Sequence, residues 1–452
     1  MRGKSEIRHS HLSDMKTYRS RLLTSALLCV AFLRAQPVDD TRLKQVIIFG
    51  RHSVRSALVA NSTLNNFSAQ PYPEFSVPPG YLTNNGATLE TILGSYFRLW
   101  LTKEGLLTGN DTADATSVYF RANTIQRTVA SAEAFAAGLL PAGSVAVNYY
   151  GPQQSDPLFD PVGAGIARLD QQMAVAAIAG RVGGNAQSLA TAYAPELALM
   201  RSVLFGYPAG QSPAPAAPAG KVDVAAIPFQ LAETGPSGWP VDPGGLAMVG
   251  LAVDPFIMEY AEGLPASQVG WGQLTADGIS QASRLYTLGI DLECRTPYLD
   301  KVQSSNLASH VVRSLVQAAT GKALTGALGH PSTKAIVLIA SDVNIGGLAG
   351  LLHLDWIVPG YQADYCSPGG ALVFELRQSQ STGEYVVRTS YIAQTLDQLR
   401  NRTVLTLKTS PAIAPVFIPG CSFHNATFDC PLGKFEALAK QEIDPLSIDR
   451  MN

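Results

Sequence analysis

The most constraining stretch of the chain is Gln45-Val46-Ile47-Ile48-Phe49-Gly50-Arg51-His52-Ser53-Val54-Arg55-Ser56-Ala57. Its first part is short, β-branched and apolar, which predicts a strand buried on both faces. Two guanidiniums and an imidazole then follow within five residues. At a strand's carboxyl end such a cluster is electrostatically expensive without an anion, and arginine forks match phosphate oxygens bidentately. A neutral imidazole between them can attack phosphorus. Taken alone, the same residues also read as a solvated basic turn.

A second apolar strand, Ala335 to Ala340, runs into Ser341-Asp342-Val343-Asn344 and a helical pattern, and the Asp342 carboxyl could protonate a leaving alcohol. A third segment, Val118 to Thr128, passes from a strand into a helix start at Arg127, where backbone N–H groups also favour anions. Strand, polar cluster, helix is the layout of an α/β sheet with its site at the carboxyl ends of the strands. Residues 371–376 and 385–388 predict a closing hairpin with Gly383 in the turn. Helical patterns cover 87–101, 128–139 and 307–319. Between about Val162 and Gly270 alanine-rich helical stretches (171–179, 185–205, 246–262) surround a Pro/Ala/Gly loop, 212–220. The expectation is an α/β fold with a mostly parallel central sheet flanked by helices. Residues 36–162 and 270–452 form it, and 163–269 are an inserted smaller α-helical domain.

Charge narrows the partners. The first 35 residues hold 7 Lys/Arg and 2 Asp/Glu, leaving 26 basic and 33 acidic residues in the remainder. A net-acidic body argues against nucleic acid, whose phosphates need a basic face. Basic residues through Arg21, the apolar run 22–33 and Ala35 predict a cleaved export segment, residues 1–35, and a periplasmic or secreted protein with no membrane attachment afterwards. Cys29 falls in that run, leaving Cys294, Cys366, Cys421 and Cys430, enough for two disulfides. Local pairing of Cys421 with Cys430 leaves Cys294 with Cys366; four buried free thiols is the other reading.

No P-loop, H-E-x-x-H, G-x-S-x-G elbow or calcium loop occurs, and no pair among the five later histidines has metal-ligand spacing. Arg51-His52-Ser53-Val54-Arg55, the later Arg127 and Asp342-Val343-Asn344 resemble the signature of the histidine acid phosphatases, close to their bacterial phytase and glucose-1-phosphatase branch. The resemblance extends through Leu82-Thr83-Asn84-Asn85-Gly86, Glu133 to Leu139, Asp156-Pro157-Leu158-Phe159, Gly270-Trp271-Gly272, Pro368-Gly369-Gly370 and the Cys421/Cys430 loop.

The resemblance implies a phosphomonoester hydrolase. His52 would take the phosphoryl group as phosphohistidine, while Arg51, Arg55 and Arg127 bind its equatorial oxygens. Asp342 would act as general acid with an acidic optimum. No metal or cofactor is implied, because the arginines supply the positive charge, and the partner is a small phosphate monoester: a sugar or inositol phosphate, or monoesters broadly. Ser341 stands where the family has His, which makes it a shorter phosphate donor. Ser53 replaces Gly, Ala57 replaces Pro, and Leu58-Val59 replace the Thr-Lys of many phytases, removing a cation that would meet a polyphosphorylated ring. A non-catalytic or weakly active phosphate-ester-binding homologue is the competing reading, favoured by Ser341 and Ser53; retention of His52 and Asp342 favours the enzyme. A mutase of the same superfamily fits export less well.

Overall fold

Strand β1 (Thr41–Arg51) occupies the middle of an eight-stranded sheet, and its residues alternate between two cores. Ile47 and Phe49 face one, Val46 and Ile48 the other, and all four are fully buried. The sequence accordingly lacks the polar alternation of a half-exposed strand. The computed structural model describes residues 39–234 and 241–449. The expected export segment and Cys29 lie outside the described residues.

The remaining strands are β2 (Val118–Ala122), β3 (Val147–Asn148), β4 (Phe229–Ala232), β5 (Asp242–Gly244), β6 (Ala335–Ala340), β7 (Ala371–Ser379), β8 (Tyr385–Ala393), β9 (Ala412–Val416) and β10 (Cys430–Pro431). The large sheet runs β10-β8-β7-β1-β6-β2-β3, with β9 also on β8. The pairs β1–β6, β6–β2 and β2–β3 are parallel. From β1 outward through β7 and β8 the pairing is antiparallel. Thus β1, β2, β3, β6 and β8 run one way, which makes the sheet mostly parallel. The expected hairpin is present as β7–β8, longer than the apolar pattern suggested, with Gly383 in the left-handed region at the turn.

Helices cover both faces. On one side Asn84–Lys103 and Gln126–Leu139 cross closely through two glycines. A Cβ on Gly94 would lie 2.2 Å from the carbonyl oxygen of Phe135, and one on Gly138 2.1 Å from that of Thr91, so neither position admits a side chain. The other side carries Gly245–Glu262, Ala276–Cys294, Pro297–Thr320 and Asp342–Leu351.

Among the described residues of 163–269 the α-helices are Gln171–Arg181, Gln187–Ala192, Ala194–Phe205 and Gly245–Glu262, with a short 3-10 turn at Val224–Ala226. The expected 185–205 helix breaks at Tyr193, where Pro195 opens the next helix and lacks an N–H to continue the previous one. A small hairpin, β4–β5, was not signalled, because its strands are only a few residues long. Apolar residues of these helices share one core with Ile47, Phe49 and Leu338.

Cys421 and Cys430 form a disulfide with their Cα atoms 5.2 Å apart. The expected Cys294–Cys366 bridge is corrected: both are buried free thiols. Cys294 ends its helix against Gly346, and the Cys366 thiol points to the backbone oxygen of Asp342 at 3.8 Å. Burial pushes both thiols up, away from the thiolate that disulfide exchange requires.

Candidate active site

The carboxyl ends of β1 and β6 lie side by side, with Arg51 paired in register to Ala340. The chain continuing from β1 is tied down through its backbone. Arg51 N–H donates to Gly370 O at 2.9 Å, and His52 N–H to Ala340 O at 2.9 Å. Gly369 N–H donates to His52 O at 3.2 Å. Ser53 N–H donates to Ser131 Oγ at 3.1 Å, and Thr83 N–H to Val54 O at 3.0 Å. A Cβ on Gly86 would stand 2.2 Å from Val54 O, so the Leu82 to Gly86 motif presses its helix directly on this turn.

His52 is 2% exposed, and its Nδ1 lies 2.9 Å from Ser53 O. A carbonyl can only accept, so Nδ1 carries the hydrogen and Nε2 keeps its lone pair. Burial, then the positive charges of Arg51, Arg127 and Arg55, holds the imidazole well below its usual titration range. Both effects favour the neutral form of the ring.

The three arginines differ in how they are balanced. Arg51 Nη2 meets Asp342 Oδ2 at 2.7 Å, and its Nη1 donates to Cys366 O at 2.6 Å. Arg55 forms a bidentate pair with Asp254, at 2.8 and 2.9 Å. Arg127 pairs with no carboxylate among the described residues and reaches Gly80 O at 3.4 Å. Burial, then repulsion from Arg55, lowers it to about 10. With His52 neutral, three guanidiniums face two carboxylates, so the cluster keeps one uncompensated positive charge.

Asp342 is 6% exposed and heads the Asp342–Leu351 helix. Tyr286 Oη donates to its Oδ2 at 2.7 Å, and Val343 N–H to its Oδ1 at 3.0 Å. Burial alone would raise this acid; Arg51, ahead of the Tyr286 hydrogen bond, holds it below the usual carboxylate range. Ser341, 7% exposed, precedes it, and its N–H donates to Asn344 Oδ1 at 3.3 Å. Asn344 in turn donates to Phe159 O at 2.7 Å, which links the Asp156 to Phe159 motif to the site. Ser53 is buried, and its Oγ has no hydrogen-bond partner among the described residues.

The structure therefore brings Arg51, His52, Arg55, Arg127, Ser341 and Asp342 to one end of the sheet. Two neighbours escaped the sequence reading. Asp254 is a lone charge in the apolar run 246–258, and that isolation was the available signal. Tyr286 carried none.

Residues 42–194 match the histidine phosphatase superfamily (branch 2). The chain is similar to phytase AppA of Escherichia coli, 28% identical over 91% of this chain and 94% of that one. It is equally similar to the glucose-1-phosphatase of Salmonella typhimurium, 28% identical over 92% and 96%. Among solved structures, Hafnia alvei phytase in complex with tartrate superposes with a TM-score of 0.82 and 31% identity, covering 92% of this chain and all of that one. The same phytase in complex with myo-inositol hexakis sulphate gives 0.80 and 30%. A buried His–Arg cluster at the head of a mostly parallel sheet, in a chain with these relatives, defines a phosphoric monoester hydrolase. The chain belongs to the histidine acid phosphatases, branch 2 of the histidine phosphatase superfamily.

Proposed function

We propose that the protein hydrolyses phosphate monoesters, of sugars, inositols or broader alcohols, through a phosphohistidine on His52. One observation carries the reading: His52 Nδ1–H is fixed on Ser53 O, so a neutral Nε2 is presented among three guanidiniums, one of them uncompensated.

In the first step Nε2 forms a bond to phosphorus as the bond from phosphorus to the ester oxygen breaks. Arg51, Arg55 and Arg127 neutralise the equatorial oxygens, and protonated Asp342 gives its proton to the leaving oxygen. In the second step water attacks phosphorus and passes a proton to Asp342, the P–N bond breaks, and phosphate leaves with His52 restored. Ser341 adds a neutral donor beside Asp342. Tyr286 holds Asp342, and Asp254 holds Arg55. The chemistry these residues supply calls for no cofactor.

The relatives named phytase and glucose-1-phosphatase support sugar and inositol phosphates as substrates. The basic, then apolar, leader supports export to the periplasm or medium. No helix among the described residues is long and apolar enough to cross a membrane.

Alkali-quenched turnover of a labelled ester tests the mechanism. Label should be carried by a His52 peptide, stable in alkali and labile in acid. His52→Ala, with an unchanged circular dichroism spectrum, should release no phosphate. Wild-type turnover in that variant sinks the proposal.

A further inference from the structure

To act as an acid, Asp342 must carry its proton on an oxygen that can be freed of donors. Its Oδ1 accepts Val343 N–H at 3.0 Å, a backbone group fixed in the Asp342–Leu351 helix that cannot turn away. Its Oδ2 accepts from two side chains, Arg51 Nη2 at 2.7 Å and Tyr286 Oη at 2.7 Å. Side chains can turn, so Oδ2 is the oxygen that takes the proton. Once it is O–H, it points its hydrogen at the leaving group and accepts only weakly. Both donors must then find other acceptors, because a buried donor left unpaired is costly. Arg51 finds one in the phosphoryl group. Tyr286 needs one as well.

The phenol stands where such an acceptor arrives. The positive charges that act on His52 are those of Arg51, Arg127 and Arg55. Arg51 and Arg55 act on Tyr286 as well, and Tyr286 in turn acts on Arg127. Nucleophile and phenol therefore border one ring of positive charge, the space in which the phosphoryl group is bound. Tyr286 is carried by the Ala276–Cys294 helix, and its ring lies against Gly250 of the Gly245–Glu262 helix, where a Cβ would be 3.8 Å from Cδ2. Turning the hydroxyl about one bond redirects the donor without moving the ring. Burial, then the charge of Asp342, pushes the phenol up, so it keeps its hydrogen and serves as a donor. Ser341, with its hydroxyl one carbon from the backbone, has no comparable reach.

We propose that Tyr286 is a further catalytic residue: in the occupied site its O–H leaves Asp342 Oδ2 and donates to an oxygen of the transferring phosphoryl group. The proposal rests on the monoesterase reading above. No proton changes hands at Tyr286; the phenol exchanges one acceptor for another. Its departure unmasks Oδ2 for the proton bound for the leaving oxygen, and its arrival adds a neutral donor to the three guanidiniums. The hydrogen bond to Asp342 re-forms when phosphate and the proton have left.

The test separates this contact from mere positioning of Asp342. Tyr286→Phe keeps the ring and removes only the donor, and its circular dichroism spectrum should be unchanged. In calorimetry with the full chain at pH 5, it should bind inorganic phosphate at least fivefold more weakly. On one alkyl and one nitrophenyl phosphate kcat/KM should fall at least tenfold each, since the phosphoryl group is common to both. The tenfold loss on the nitrophenyl ester should persist when Tyr286→Phe is added to Asp342→Asn. A phenol acting only through Asp342 would harm the alkyl ester alone and cost nothing in the Asp342→Asn background. Either result, or an unchanged phosphate affinity, overturns the proposal. Phosphate affinity that depends on Tyr286, in a chain that hydrolyses no ester, overturns the monoesterase reading while leaving the contact standing.

Discussion

Arg51 and Asp342 meet at 2.7 Å across the carboxyl ends of β1 and β6, so in the free protein the proposed acid is held as a carboxylate by a guanidinium proposed to hold substrate. The two roles compete. An incoming phosphoryl group that takes the donors of Arg51 removes the charge keeping Asp342 ionised, and brings negative charge beside it. Both changes raise the acid's pKa. Protonation of Asp342 is thereby linked to occupancy, and an acidic medium favours it further.

Asp342→Asn should lower kcat/KM on alkyl phosphates by about 10²–10⁴, the usual loss for a general acid. On activated aryl esters, whose leaving groups hardly need a proton, the loss should be much smaller. Parallel kinetics on one alkyl and one nitrophenyl ester decide it; equal losses on both would exclude Asp342 as the acid. The pair also contributes stability above the ordinary carboxyl range, and this is lost as pH falls through the depressed pKa.

Asp254→Ala leaves Arg55 buried without its bidentate partner. Removing one member of a buried ion pair typically destabilises by about 3–5 kcal/mol. Inorganic phosphate can replace the missing negative charge. Millimolar phosphate should therefore raise Tm more in this variant than in the native chain. A variant as stable as the native chain, with no extra response to phosphate, would show that Asp254 does not balance Arg55.

Ser341→His should raise turnover at acidic pH, since imidazolium would add a longer, cationic donor next to Asp342. A preorganised donor in comparable sites is worth about a hundredfold in rate. The gain should be smaller here, because Ser341 is 7% exposed and a larger side chain must displace its neighbours. Rates at pH 4.5 and 7.5 check the sign: the improvement should shrink as the imidazole loses its proton.

Glu259 is buried in the Gly245–Glu262 helix, where burial raises it to about 8 against the lowering effect of a Gly270 N–H at 2.9 Å. The native state then keeps one more proton than the unfolded chain between the ordinary glutamate range and about pH 8. Stability due to this group is full in acid and falls as pH rises through that window, by at most ~5 kcal/mol. Glu259→Gln retains an acceptor for Gly270 and should flatten the pH dependence, being more stable than the native chain at pH 8 and equal near pH 4.5. Denaturant melts at the two pH values measure this.

The parts of the site legible in the sequence are those that one turn of chain brings together. Arg51, His52 and Arg55 follow a strand whose burial on both faces is written in its composition, and Asp342 follows its parallel neighbour in the same way. Asp254 and Tyr286 were not legible as partners, because helix patterns fix which face is apolar without fixing what lies opposite. The same holds for Cys294 and Cys366. An even cysteine count says nothing of direction, and both thiols came to rest against the Asp342–Leu351 helix unbonded.

Arg55 takes its counter-ion from a helix some two hundred residues later in the chain, within the stretch 163–269. A segment of that kind invites exchange between homologues as a cassette for altering substrate range. Here such a graft carries a hidden electrical condition. A replacement that reproduces the shape of the Gly245–Glu262 helix but not the carboxylate at position 254 leaves a bare guanidinium in the turn that carries His52. Chimeras of this protein should then sort by the presence of that one acid, whatever the similarity of the rest of the donor segment.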